Sequence, residues 1–218
     1  MRKVLNGKFF ERPALKVAEE LLGKYLCRQI PGSPTSRGSR TSKICLMITE
    51  VEAYVGPEDK ASHASRGRTP RNGPMFGRAG QWYVYFTYGI HWMLNVVTGP
   101  KDFPAAVLIR GVLGHVFPTQ HFARRAYPPA GGLLCSGRRP AQCLAKCLPG
   151  KLLNGPAKLT KFLKIDKRFN GKKADKKIGL WIEDRSVKIK SSQIRRGPRI
   201  GVDYAEGWAK KPYRFLIK

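Results

Sequence analysis

Thr49–Asn95 reads TEVEAYVGPEDKASHASRGRTPRNGPMFGRAGQWYVYFTYGIHWMLN, and its pattern predicts a strand, an irregular excursion and a hairpin, in that order. Side chains alternate across a strand. Ile44–Val55 therefore puts Ile48, Glu50, Glu52 and Tyr54 on one face and Thr49, Val51 and Ala53 on the other. Residues 56–80 hold five Gly, three Pro and four Arg, a composition that interrupts regular structure. WYVYFTYGIHWMLNVV (82–97) is rich in β-formers and broken only at Tyr88-Gly89, where glycine can take the positive φ of a tight reversal. A two-residue turn there sets Tyr85 opposite Trp92 and Tyr83 opposite Leu94. That register leaves Asn95 on the face opposite Tyr85, so bringing both to one pocket requires a bulge or a longer turn.

On the N-terminal side, PALKVAEELL (13–22) predicts a helix with Leu15, Val17, Ala18, Leu21 and Leu22 on its apolar stripe. Lys24–Ile30 predicts the first strand, and residues 32–43 a polar, basic connection. On the C-terminal side, Ala105–Gly111 is a strand candidate, apolar until Arg110. The pattern then fails over about 115–152, which reads as a long basic loop or insertion with one short helix at 140–147. Asn154-Gly155-Pro156 opens a helix, AKLTKFLKI, with Leu159, Phe162 and Leu163 inward. Residues 167–177 predict a solvated basic loop, and 178–183 and 186–190 two further strands. Helices and strands mix without regular βαβ alternation, so the expected fold is α+β around a mostly antiparallel sheet. At 218 residues, a single domain (1–218) is expected.

Charge bounds the function. The chain has 42 Lys+Arg against 14 Asp+Glu, a formal +28, and residues 101–218 carry +20 of it. Such an excess opposes compaction, and a polyanionic partner accounts for it better than a merely solvated surface. No apolar run approaches the ~20 residues of a membrane span. The N-terminal segment lacks the apolar core of a signal peptide, so an intracellular location is expected. Five cysteines without secretory context predict reduced thiols. Cys135, Cys143 and Cys147, with His121 upstream, include no C-x-x-C pair, and no metal is expected there.

The chemistry concentrates in the opening stretch. A strand carboxylate beside aromatic surface is desolvated and its basicity tuned toward neutral pH, as a general base requires. Glu52 and Glu50 share that face, and pattern alone leaves both open, along with a plain ion pair to one of many arginines. Tyr88 differs from the other tyrosines, because an aromatic at a hairpin tip cannot reach its own sheet's core. Beside basic surface it is a candidate wedge for a base stack. Arg110 ends an apolar strand and must find a carboxylate, a carbonyl or a phosphate. His63, in KASHASRGR, is a loop histidine with basic neighbours. Together these features suggest an enzyme acting on a nucleobase.

The runs ITEVEAYVGPEDKASHASRGRTPRNGPMF, YVYFTYGIHWMLN, VLIRG, LLNGPAKL and RIGVDYAEGWAKKPYRF, in this order, resemble the alkyladenine (3-methyladenine) DNA glycosylase family. The resemblance implies a curved, mostly antiparallel sheet with peripheral helices and a protruding hairpin, of the formyltransferase C-terminal-domain type. It selects Glu52 as the base that activates a water, with Arg110 and the Val202 carbonyl helping to hold that water. Tyr54, His63 and Tyr85 match residues enclosing an extruded base, and Asn95 a polar residue at the pocket floor. Tyr88 matches the side chain that fills the vacated space, with Ile90 beside it. Ile90 and Met93 depart from the family pattern, which bears on minor-groove packing and lesion preference. Lys158 and Arg71 match phosphate-contacting positions. The implied activity is hydrolytic excision of alkylated or deaminated purines (3-methyladenine, hypoxanthine type) from duplex DNA, starting base excision repair. A monofunctional monomer without cofactor is expected. The competing readings are a non-enzymatic nucleic-acid-binding protein and a glycosylase/lyase using a Schiff-base lysine.

Overall fold

The computed structural model describes residues 2–30, 42–114 and 152–218. Of the connection expected at 32–43, residues 32–41 lie outside the described residues and Ser42 and Lys43 are already strand; the segment at 115–151 with its expected helix at 140–147, and His121, Cys135, Cys143 and Cys147, also lie outside. In chain order the elements begin with β1 (Lys3–Val4), α1 (Gly7–Phe10), α2 (Ala14–Leu21), β2 (Tyr25–Ile30) and β3 (Ser42–Tyr54). Next come β4 (Trp82–Thr87), β5 (His91–Thr98), β6 (Ala105–Gly114), β7 (Leu152–Asn154) and α3 (Pro156–Phe162). β8 (Leu180–Asp184), β9 (Ile194–Gly197) and β10 (Arg214–Ile217) close the chain.

Among the described residues the strands form one sheet, β1-β8-β2-β3-β6-β5-β4, with β10 joined to β3 and β9, and β7 to β6. Every ladder is antiparallel. The fold is α+β around an antiparallel sheet, as the pattern predicts, and the sheet is curled, as the family resemblance implies. β3 changes partners part-way along its length. On one side β3 pairs β2 through Ser42–Met47 and then β10 through Glu50–Glu52. On the other side it pairs β6, which itself pairs β5 through Ala105–Leu108 and β7 through Gly111–Leu113. Both changes of partner fall where the β3–β6 register breaks, between Ile48 and Glu50 and again between Glu50 and Val51. Thr49 and Arg110 are left out of the pairing there, as the extra residues of a bulge are.

This irregularity corrects the unbroken alternation expected for Ile44–Val55. Ile44, Leu46 and Ile48 point into the main core, and beyond the break so do Val51 and Ala53. Ile48 therefore does not share a face with Glu50, Glu52 and Tyr54, which are turned away from that core. Gly111 fits the crowding opposite, since a Cβ there would come within 3.0 Å of the Glu50 Cβ and 3.2 Å of the Thr49 hydroxyl.

The main core lies between the sheet and its helices. α2 contributes Ala14, Val17, Ala18 and Leu21, α3 contributes Leu159, and Trp82, Val84, Leu94, Val96, Val107 and Ile109 meet them from the strands. Leu21 and Leu159 are wholly buried, so truncating either to alanine costs about 2–5 kcal/mol.

The hairpin turn is longer than two residues. Thr87 pairs with His91, leaving Tyr88, Gly89 and Ile90 in the turn, with φ of 52° at Tyr88 and 67° at Gly89. The Ile90 N–H donates to the Thr87 carbonyl at 3.2 Å. The register becomes Tyr85 opposite Met93 and Tyr83 opposite Asn95, correcting the Tyr85–Trp92 and Tyr83–Leu94 pairs. Asn95 thereby shares a face with Tyr83 and Tyr85.

Three other expectations change. Residues 186–190 form no strand, and the sheet is completed by β9 and β10. The 167–177 segment is not simply solvated, because it runs along the free edge of β4. Trp82 N–H donates to the Lys172 carbonyl (2.8 Å) and Val84 N–H to Asn170 Oδ1 (3.0 Å), while Phe169 and Ala174 are buried. Cys27 and Cys45, directly opposite each other in the β2–β3 ladder, form a disulfide rather than two reduced thiols.

Candidate active site

The face turned away from the main core carries a cleft of about 430 Å³, within the ~300–1,000 Å³ usual for small-molecule sites. Tyr54, His63, Tyr83, Tyr85, Asn95 and Arg110 line it, and residues 155–158, 200–202 and Tyr204 form part of its rim. Glu52 sits one layer behind this wall and is wholly buried. Its Oε1 accepts the Ile200 N–H at 2.9 Å and lies 3.4 Å from Arg110 Nη1. The Tyr54 hydroxyl donates to its Oε2 at 3.1 Å. Burial is the largest influence on this carboxyl and raises it above the usual carboxylate value. Arg110, the Ile200 N–H and the Tyr54 hydroxyl pull it back without reversing the shift, and Glu50 adds to the rise.

Glu50 is differently placed. Its Oε1 accepts from Arg110 Nε at 3.1 Å and from Arg214 Nε at 2.7 Å. It is held between two cations, whereas Glu52 has one cation at longer range and two neutral donors. Arg110 spans both carboxylates from its bulge position, so of the carboxylate, carbonyl or phosphate left open by the sequence its partners here are two carboxylates.

The aromatic wall is ordered by hydrogen bonds and ring contacts. His63 Nδ1 lies 2.8 Å from the Tyr83 hydroxyl, and its ring meets Tyr85 edge-on at 4.5 Å. Desolvation against the cleft wall first, and then the Arg71 charge, lower the His63 imidazole below its ordinary value, although the residue keeps an exposed edge. Burial, followed by the nearby Glu52 charge, pushes the Tyr85 phenol up to about 12 and the Tyr54 phenol well above its usual range. The 62–72 excursion is fastened by buried Asn72, whose Nδ2 donates to the His63 and Gly67 carbonyls at 2.8 and 2.9 Å. Asn95 is buried, and its Nδ2 donates to the Tyr83 carbonyl at 3.1 Å.

Around the mouth stand exposed apolar side chains. Tyr88 is 84% exposed at the hairpin tip, with Ile90 at 68% beside it and Tyr204 at 67% on the cleft rim. Arg71 is exposed; it donates to the Phe86 carbonyl at 3.0 Å and lies over the Tyr85 ring. Lys158 is an exposed rim residue.

The family model for methylpurine-DNA glycosylase matches residues 8–218. The chain belongs to that family. Three similar relatives each bear the name "Putative 3-methyladenine DNA glycosylase". The protein of Methanocella arvoryzae is 39% identical over 215 residues, covering 99% of this chain and 92% of that one. Those of Streptomyces avermitilis and Clostridium botulinum are each 39% identical, covering 99% of this chain and 88% and 96% of theirs.

In this chain, all the residues singled out in the sequence for a base pocket gather at the cleft, with Arg110 on its wall and Glu52 behind it. Val202 is buried against Ala61 and Ala205, and its carbonyl accepts the Ala205 N–H at 2.9 Å. Sequence reasoning missed Asp59, Arg199, Arg214 and Tyr204. Asp59 lies inside the GPEDKASH run and Arg199 heads RIGVDY, so both were in view. Nothing local signals that a pair 140 residues apart would meet in the interior.

Proposed function

We propose that this protein is a monofunctional glycosylase that flips a damaged purine out of duplex DNA and hydrolyses its N-glycosidic bond. The names of its relatives support 3-methyladenine as a substrate, and deaminated purines of the hypoxanthine type belong to the same proposal. One observation carries it: a wholly buried carboxylate, Glu52, is held by Ile200, Tyr54 and Arg110 directly behind an aromatic-lined cleft. A purely nucleic-acid-binding surface has no use for a carboxylate kept there at the cost of its hydration.

Glu52 is the general base. A water entering between Tyr54, Arg110 and Ile200 as DNA docks gives its proton to the carboxylate and attacks C1′ of the sugar, and the purine leaves with the bonding electrons. Arg110 and the Val202 carbonyl orient that water. Extruding the base costs a few kcal/mol. Stacking against Tyr54 and Tyr85, at roughly 1–3 kcal/mol per contact, offsets much of this. Neutral His63 keeps Nδ1 on Tyr83 and leaves Nε2 for the base, and Asn95 screens the purine edge at the floor. An N-alkylated purine is cationic and already a good leaving group, and the rings attract it further. Tyr88, with Ile90, fills the space the base vacates, while Arg71 and Lys158 contact phosphates. Lys158 is the lysine at the cleft among the described residues, and it is exposed rather than desolvated, which favours water over a Schiff base as nucleophile.

The test is incubation with duplexes carrying one 3-methyladenine or hypoxanthine, followed by alkali to reveal abasic sites. Glu52→Gln should lower base release by about 10²–10⁴ and leave lesion binding intact. Excision by that variant at the wild-type rate would overturn the assignment, and borohydride trapping of a covalent adduct would transfer it to a lyase.

A further inference from the structure

A buried ion pair lies beside the segment that supplies the Ile200 N–H. Asp59 and Arg199 have side chains with no exposure. Arg199 Nη2 donates to Asp59 Oδ1 at 2.8 Å and Nη1 to Oδ2, a two-point grip. The same guanidinium donates to the Ala53 carbonyl at 3.0 Å and the Trp208 carbonyl at 3.3 Å, and lies over the rings of Tyr54 (4.9 Å) and Tyr213 (5.3 Å). Asp59 also accepts the Val55 and Ala61 N–H groups, at 3.2 and 3.1 Å. One centre therefore joins the end of β3, the 55–61 turn and the 199–208 segment.

Two charges this deep lose their hydration, so such a pair adds little net stability over a well-packed apolar substitute. What it supplies is fixed geometry, because a planar fork on a carboxylate tolerates little rotation. The geometry here has an address. The next amide after Arg199 is Ile200 N–H, which donates to Glu52 Oε1 at 2.9 Å. The carbonyl that Arg199 grips on β3 belongs to Ala53, the neighbour of Glu52. Donor and acceptor are clamped from both sides by the same side chain.

We propose that the Asp59–Arg199 pair is a positioning device: it holds the Ile200 N–H on Glu52 and so fixes the aim and the electrostatic surroundings of that carboxylate. Its catalytic consequence rests on the reading of Glu52 as the base. The groups facing Glu52 are Glu50 and Tyr54 on its own strand, Arg110 on β6, Tyr85 on β4, and Arg199 with Ile200 on the closing segment. The Ile200 hydrogen bond is among the influences that hold the carboxyl down against burial. Val202 and Ala205 also pack on Ala61, a second set of contacts between this segment and the 55–61 turn.

The experiment compares wild type with Asp59→Asn and Arg199→Lys. The Glu52 carboxyl is titrated by carbon NMR, assigned with Glu52→Gln, and single-turnover excision is followed against pH. In both variants the Glu52 titration should move to higher pH and the acid limb of the rate profile with it. The plateau rate should fall by about 10²-fold, with lesion-duplex affinity near wild type. A downward shift, from water reaching Glu52, would mean that the pair keeps the site covered rather than aiming the Ile200 N–H, and would overturn the proposal. Titration and acid limb superimposing on wild type would overturn it, whatever happens to the melting temperature. Arg199→Lys keeps the charge against Asp59 and is decisive if Asp59→Asn does not fold. If wild type releases no base, the proposed activity falls, while the carboxyl titration still decides the positioning.

Discussion

At the scale of the residue, Glu52 illustrates a conflict between stability and chemistry. Its carboxyl is raised in the folded state, mainly by burial. The fold therefore holds this proton more tightly than the unfolded chain does. The stability it contributes is full below the ordinary carboxylate range and is lost as pH rises through the raised folded value. Once ionised, Glu52 is thus a net burden on the fold. Glu52→Gln keeps the shape and an acceptor for the Ile200 N–H but removes the charge. It should melt at a higher temperature than wild type at pH 7, with the gap closing in acid. A lower melting temperature at pH 7 would mean that Arg110's attraction outweighs the burial. Wild-type excision should correspondingly lose rate as pH falls through the raised Glu52 value. The sequence placed both acids on one face but could not separate them. The discriminating partner of Glu50 is Arg214, 164 residues away, and no local pattern carries that distance.

At the scale of the element, the β4–β5 hairpin presents its aromatic at a cost. Tyr88 has a φ of 52°, a region that costs an L-residue roughly 1–2 kcal/mol. Tyr88→Gly relieves that strain and gives back part of the gain through the unfolded chain. Its melting temperature should therefore stay near wild type while affinity for a lesion duplex weakens. Unchanged affinity would remove Tyr88 from the interface; a large drop in melting temperature would make its role structural. The hairpin was legible in the sequence, and its register was not. Composition marks Tyr88-Gly89 as the reversal, but whether Ile90 joins the turn depends on backbone hydrogen bonding that residue types do not encode. That single residue decides whether Asn95 faces the cleft. β9 and β10 were missed for a related reason: Arg195, Arg196 and Arg214 interrupt any apolar rhythm, and these strands hold their place through long-range pairing.

At the scale of the whole molecule, the net charge of +28 is the dominant fact. If it serves DNA, binding weakens with salt, log K falling by about 0.9 per phosphate neutralised. Lys158→Ala should reduce that slope by about one unit on damaged and undamaged duplex alike, and an unaltered slope would remove Lys158 from the phosphate contacts. The α+β class and the antiparallel sheet followed from helices and strands that mix without regular βαβ alternation. The bulges did not, because no residue pattern marks the mismatch of β3 and β6 at Thr49 and Arg110. That mismatch also guards folding. A one-residue slip of β3 along β6 would drive Glu50 and Glu52 into the apolar core, and a two-residue slip would set the unpaired Thr49 against the wrong neighbours. A uniformly alternating strand has several nearly equivalent alignments in which a nascent chain can be trapped. This one changes phase part-way and has a single alignment, so the irregularity that turns the acids toward the cleft also protects the chain from misassembly.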